Sequence, residues 1–160
     1  MHKSDIERLE DMLINQDKYK QQLRLLEMEL EDTVKEIIPE SQLNTYLHHP
    51  GTIRAGNNTS SVESKVLKCH NDLRYQTLYS IVHNTPKFIS GLTAYERIIY
   101  DYRYKKINPI ITEWDDIAEL VEKEAMEREN PDVTVGRTKT LNIRVTMLRK
   151  MADYIGYTLM

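Results

Sequence analysis

Cysteine occurs once in this 160-residue chain, at Cys69, so no disulfide can form within it. Phenylalanine and tryptophan also occur once each. The aromatic content is carried by ten tyrosines, which can lie half exposed with the hydroxyl in water. No apolar run approaches the ~20 residues that a membrane span needs. The first residues, Met1-His2-Lys3-Ser4-Asp5-Ile6-Glu7, lack the apolar stretch of a secretory signal. These absences point to a soluble protein of a reducing cytoplasm. His48-His49 and Cys69-His70 have the wrong spacing and too few partners for a zinc site, so no metal is expected. No Ser-His-Asp, Cys-His, P-loop or paired-carboxylate arrangement stands out, so neither an enzyme nor a cofactor is expected.

Charge is present, and it is unevenly spread. The net charge is −3, which is not the global mark of a nucleic-acid binder. Such proteins can still keep their basic residues on one face, so distribution decides more than the sum. From Asp5 to Glu36 acids outnumber bases two to one, whereas Arg137 to Lys150 holds five bases and no acid.

The apolar pattern is helical throughout. Ser4 and Glu7 fit a capping-box pair that would start the first helix. Ile6, Leu9, Leu13, Leu23, Leu26, Leu30, Val34 and Ile37 then recur mostly at steps of three and four, interrupted near Gln16 and Tyr19. One long helix to Pro39 would be too one-sided to stand alone. It needs a partner helix, from this chain or from a second copy in a homo-oligomer. Residues 40–60 are rich in Gly, Asn, Ser and Pro and read as a mobile loop. A helix capped by Ser60 or Ser61 follows and should end before Pro86, completing a helical hairpin with the first.

Three short helices close the chain. Thr93-Ala94-Tyr95-Glu96 is a capping box that starts a helix from Ala94 to Lys106, with Ile98, Ile99 and Tyr102 inward. Thr112-Glu113-Trp114-Asp115 opens the next, which runs to about Glu129 with Trp114, Ile117, Ala118 and Val121 inward. Thr134 or Gly136 starts the last, which carries Thr140, Ile143 and Met147 on its core face and ends at Gly156. The expected fold class is all-α. Residues 1–90 would form a helical arm or hairpin, and residues 91–160 a helix-turn-helix domain.

Taken in order, Ser61-Val62-Glu63, then Leu92-Thr93-Ala94-Tyr95-Glu96-Arg97-Ile98-Ile99, then Arg103-Tyr104, then Trp114-Asp115-Asp116-Ile117-Ala118 carry a likeness. The chain resembles the RinA/ArpU-type regulators of Gram-positive phages and prophages, whose C-terminal module is similar to the region-four helix-turn-helix of sigma factors. The resemblance implies that Thr112 to Val121 begins the scaffold helix. It also implies that Arg137, Thr138, Lys139, Leu141 and Asn142 lie at the DNA-facing start of the recognition helix. Side-chain chemistry agrees: Arg137 and Lys139 can contact phosphate or guanine edges, and Asn142 can make a bidentate contact to adenine. Arg144, Arg149 and Lys150 fall further along, where backbone phosphate is the expected contact. In the family the turn before the recognition helix is short. Here Val121 to Thr134 intervenes, so the scaffold helix is extended or a loop is inserted, and an acidic patch comes near the basic helix.

The resemblance implies a transcriptional activator of phage late genes in the cytoplasm of a bacterial host. It would bind double-stranded DNA near a late promoter and touch host RNA polymerase. A terminase small subunit that recognises a packaging site is an alternative, as is a helical scaffold that binds no DNA.

Overall fold

The computed structural model describes residues 1–37 and 69–160, the side chains of 31–37 apart. All regular structure among the described residues is helical: α1 (Lys3–Ile14), α2 (Gln16–Ile37), α3 (Leu73–Ser90), α4 (Ala94–Ile99), a π-helical turn (Tyr100–Tyr104), α5 (Trp114–Arg128) and α6 (Arg137–Ile155). The all-α class is as expected. The loop 40–60, the cap at Ser60 or Ser61, His48-His49 and Ser61-Val62-Glu63 lie outside the described residues.

Two compact units are present, one of residues 1–16 and 80–160, the other of residues 17–79. This differs from the expected boundary at residue 90, because α1 and the second half of α3 group with the C-terminal helices. The expected single helix from Ile6 to Ile37 is accordingly two helices. Asn15, between them, leaves helical geometry at φ −101° and ψ 39°, and its side-chain amide donates to the Asp11 carboxylate at 2.7 Å. The apolar stripe serves two cores: Leu9 and Leu13 of α1 are buried in the first unit, Leu23 and Leu26 of α2 in the second.

In the second unit, Asp72 caps α3, accepting the backbone N–H groups of Arg74 at 2.8 Å and Tyr75 at 3.3 Å. The Tyr75 hydroxyl donates to Glu27 of α2 at 3.5 Å. In the first unit, α3 does not stop before Pro86 but continues to Ser90. A proline inside a helix costs about 3 kcal/mol through a lost hydrogen bond and a ring clash. Apolar burial offsets that cost here: Ile81 and Phe88 are in the core, and Phe88 meets Tyr154 edge-on at 5.9 Å. The Ser80 hydroxyl donates to the carbonyl of Ile155 at 2.7 Å, fastening α3 to the end of α6.

The helix running from Ala94 widens at Tyr100 into a π-turn, in which the Lys105 N–H reaches back five residues to the Tyr100 carbonyl at 2.9 Å. The extra residue changes which side chains after Ile99 face inward. Ile99 and Tyr104, five apart, are buried, while Ile98 and Tyr102 are only half buried. Downstream, α5 buries Ile117, Ala118, Val121 and Ala125, and α6 buries Thr140, Met147, Leu148 and Met151 at helical spacing. Gly156 ends α6 in the left-handed conformation at φ 69°, and the Tyr157 N–H returns to Ala152 at 2.8 Å.

Two carboxylates tie the helices of this unit together. Asp5, fully buried, accepts from the His2 N–H at 3.3 Å, the Tyr157 hydroxyl at 3.2 Å and the Met160 N–H at 3.3 Å. Glu96 closes the expected capping box with Thr93, whose N–H donates to it at 2.9 Å. Its other oxygen accepts from the Lys150 ammonium at 2.6 Å. Burial alone would raise the Glu96 carboxyl, but Lys150 and the Thr93 donors outweigh it and hold the group below its ordinary value. A depressed carboxylate stabilises the fold above its unfolded value and loses that contribution as pH falls through the folded one. Glu96→Gln should therefore cost roughly 1–3 kcal/mol at neutral pH. In urea unfolding, the gap between the variant and the parent should close as the pH is taken below the usual glutamate range.

Candidate nucleic-acid interface

The inner face of α6 is a core face with one cation in it. Arg144 stands four residues after Thr140 and three before Met147, both fully buried, so its side chain is directed inward. Its guanidinium donates to one oxygen of Glu10 on α1 through Nη2 at 2.5 Å and Nε at 2.8 Å. The Tyr104 hydroxyl donates to the same oxygen at 2.7 Å and accepts from Arg144 Nε at 3.2 Å. Burial first, and the Glu10 charge second, raise the Tyr104 hydroxyl, so it stays protonated and remains a donor. The guanidinium carbons of Arg144 and Arg103 each lie 5.1 Å from the ring centre of Trp114, within cation–π range. Arg103 also donates to the Thr112 carbonyl at 2.8 Å, which pins the segment leading into α5.

The outer face is polar and basic. Thr138, Lys139, Asn142, Thr146 and Arg149 are exposed and fall on the side of α6 opposite its core residues. No acid occurs from Arg137 to Ala152. The helix begins at Gly136 with no side-chain cap and no acid in its first turn, which leaves its first N–H groups for an outside acceptor. A side chain added at Gly136 would meet nothing within 4 Å, so the approach to that end is open. An open, uncapped helix start with Arg137 and Lys139 beside it suits an anion such as a backbone phosphate.

The connection before α6 holds both of the features left open by sequence. The helix α5 extends to Arg128, and eight residues, 129–136, then lead to α6. Their end is anchored to α5. The Val135 N–H donates to the Glu122 carboxylate at 2.7 Å, two turns back from the end of α5, and Val135 is buried. The hydroxyl of Tyr95 donates to Glu129, joining α4 to the end of α5. The acids of this stretch are thus partly engaged: Glu122 by the loop, Glu129 by Tyr95, and Glu124 by Arg128. An acid of α5 also reaches the basic helix. Asp115 in the first turn of α5 pairs with Arg137 at 3.1 Å, both side chains being more than half exposed.

The eight residues singled out from sequence therefore fall into three groups. Thr138, Lys139, Asn142 and Arg149 are on the outer face, and Lys139 and Arg149 form no ion pair among the described residues. Arg137 and Lys150 are exposed but paired, with Asp115 and with the buried Glu96. Arg144 turns inward to Glu10 and, like Leu141, is half buried. Glu10, Tyr104 and Trp114, which organise the inner face, were not singled out as such. The signal for them was present in Arg144, whose spacing from Thr140 and Met147 put a charge at a core position that needs a partner. No protein-family profile, curated protein or solved structure matches this chain. Among the described residues no helix is long and apolar enough to cross a membrane.

Removing one partner of this partly shielded pair leaves the other charge short of its hydrogen bonds, at a cost of roughly 1–3 kcal/mol. Arg144→Ala should lower the unfolding free energy accordingly, whereas Arg149→Ala, on the exposed face, should change it by less than about 0.5 kcal/mol. Equal effects would contradict the inner and outer assignment.

Proposed function

We propose that this protein is a DNA-binding transcriptional regulator of the phage late-gene kind, with the outer face of α6 as its reading surface. The observation that carries this reading is the division of α6: a core face that fixes the helix, and an open outer face with Thr138, Lys139, Asn142, Thr146 and Arg149 free of acids. The ordered motifs that resemble the RinA/ArpU-type regulators support it. In this reading α5 is the scaffold helix and α6 the recognition helix, and the open start of α6 faces the duplex. Lys139 and Arg149 meet phosphates, while Thr138 and Asn142 meet base edges. Arg137 reaches the duplex by exchanging Asp115 for a phosphate or a guanine. An exposed pair is worth about 1 kcal/mol or less, so that exchange costs little.

Wild-type protein should enrich a defined sequence from a randomised duplex pool and hold it with a steep salt dependence. The Arg137→Ala, Lys139→Ala double variant should weaken binding and flatten the log–log salt slope by about 2. Unchanged binding in that variant would sink the direct-contact reading and favour a helical scaffold. Mass measurement on the same samples separates the terminase alternative, for which a closed ring of many subunits is expected.

Asp115 supplies an independent check. Asp115→Asn removes the carboxylate competing for Arg137, so affinity for any duplex should rise by up to about fivefold at low salt. Lower affinity in this variant would mean that Asp115 orients Arg137 rather than competing for it.

A further inference from the structure

We propose that Glu10 is a positioning residue for the recognition face of α6, acting through Arg144 and without touching nucleic acid. The inference rests on the DNA-binding reading above and concerns the seating of the helix that does the reading.

α6 is held at three heights along its length. At its start, Val135 is anchored to Glu122 of α5. Towards its end, Lys150 reaches Glu96 of α4, and Ile155 accepts from Ser80 of α3. Between these points the polar contacts of its inner face converge on Arg144, and their centre is one oxygen of Glu10. The side chains of Arg144 and Glu10 are only 18% and 19% exposed, so the pair is shielded from solvent and salt. Its geometry is directional. Two N–H groups of one planar guanidinium and one hydroxyl must meet a single carboxylate oxygen, and the guanidinium also stands by the Trp114 ring. A rotation of α6 about its axis would break these bonds together. The same rotation would move Asn142, two residues before Arg144 and on the opposite side, across the groove it faces. Base contacts depend on that angle, whereas long lysine and arginine side chains can still find phosphates from a rotated helix.

Glu10→Gln keeps the size of the side chain and removes the charge. The test compares its binding to two probes: the duplex that wild-type protein enriches from a randomised pool, and a shuffled duplex of the same composition. Positioning predicts an about tenfold loss on the enriched duplex. Binding to the shuffled duplex and its salt slope should be unchanged, at a temperature where circular dichroism shows both proteins folded. Equal losses on both probes, or no loss on either, would overturn the proposal. If Glu10→Gln does not fold, Tyr104→Phe removes one donor from the same carboxylate oxygen and leaves the guanidinium pair. It should then show the same selective loss at smaller size, and a uniform or absent loss would overturn the proposal equally. A wild-type protein that enriches no sequence defeats the DNA-binding reading itself, an outcome visible before any variant is made.

Discussion

The first unit is organised around a charge that is largely shielded from water. Arg144 points inward from α6, and a partly desolvated guanidinium is tolerated where an opposite charge and good hydrogen bonds await it. Glu10 supplies the charge, Tyr104 a further donor, and Trp114 an aromatic ring. These three come from α1, the π-turn and α5, so satisfying one guanidinium fixes three other segments. That requirement explains why the first sixteen residues group with a domain that begins sixty-odd positions later. Apolar burial of Leu9 and Leu13 contributes more area, but area is not directional. The ion pair selects which way the packed helix faces.

Against this background the electrostatics of a net-negative chain become coherent. The basic residues of α6 are divided by position. Arg144 is spent inside, Lys150 neutralises a buried carboxylate, Arg137 is matched at the rim, and Lys139 and Arg149 stand outward. The acids of α5 are similarly divided between fastening the loop, pairing along the helix and facing solvent. Local arrangement, and not the sum of −3, sets the potential that a ligand at the outer face would meet.

Much of this architecture was legible in the residues. The capping box at Thr93 and Glu96, the extent of the helices around Trp114 and Thr140, and the stop at Gly156 follow from local chemistry, and the structure has them. Three features were not legible. The break at Asn15 depends on α1 and α2 serving different cores, which a continuous apolar stripe conceals. The continuation through Pro86 depends on burial of Ile81 and Phe88, a tertiary gain that overrides a local penalty. The partner of Arg144 lies more than a hundred residues away, and nothing near Glu10 marks it among the other acids of α1. For the candidate interface, residue type located the helix, but only packing separated the outward side chains from the inward one.

The π-turn at Tyr100–Tyr104 acts as a shim. An α-helix advances about 100° per residue. One residue more in a turn therefore resets the angular position of everything after it. Without that residue the backbone would be more regular, yet Tyr104 would swing roughly a quarter-turn away from Glu10. Arg103 would then leave its place beside Trp114. The irregularity is thus a matter of phase: it brings a helix that starts from the Thr93 cap into step with an ion pair whose other members are fixed elsewhere. A one-residue deletion here would be among the smallest changes to the chain and among the largest to the order of its polar core.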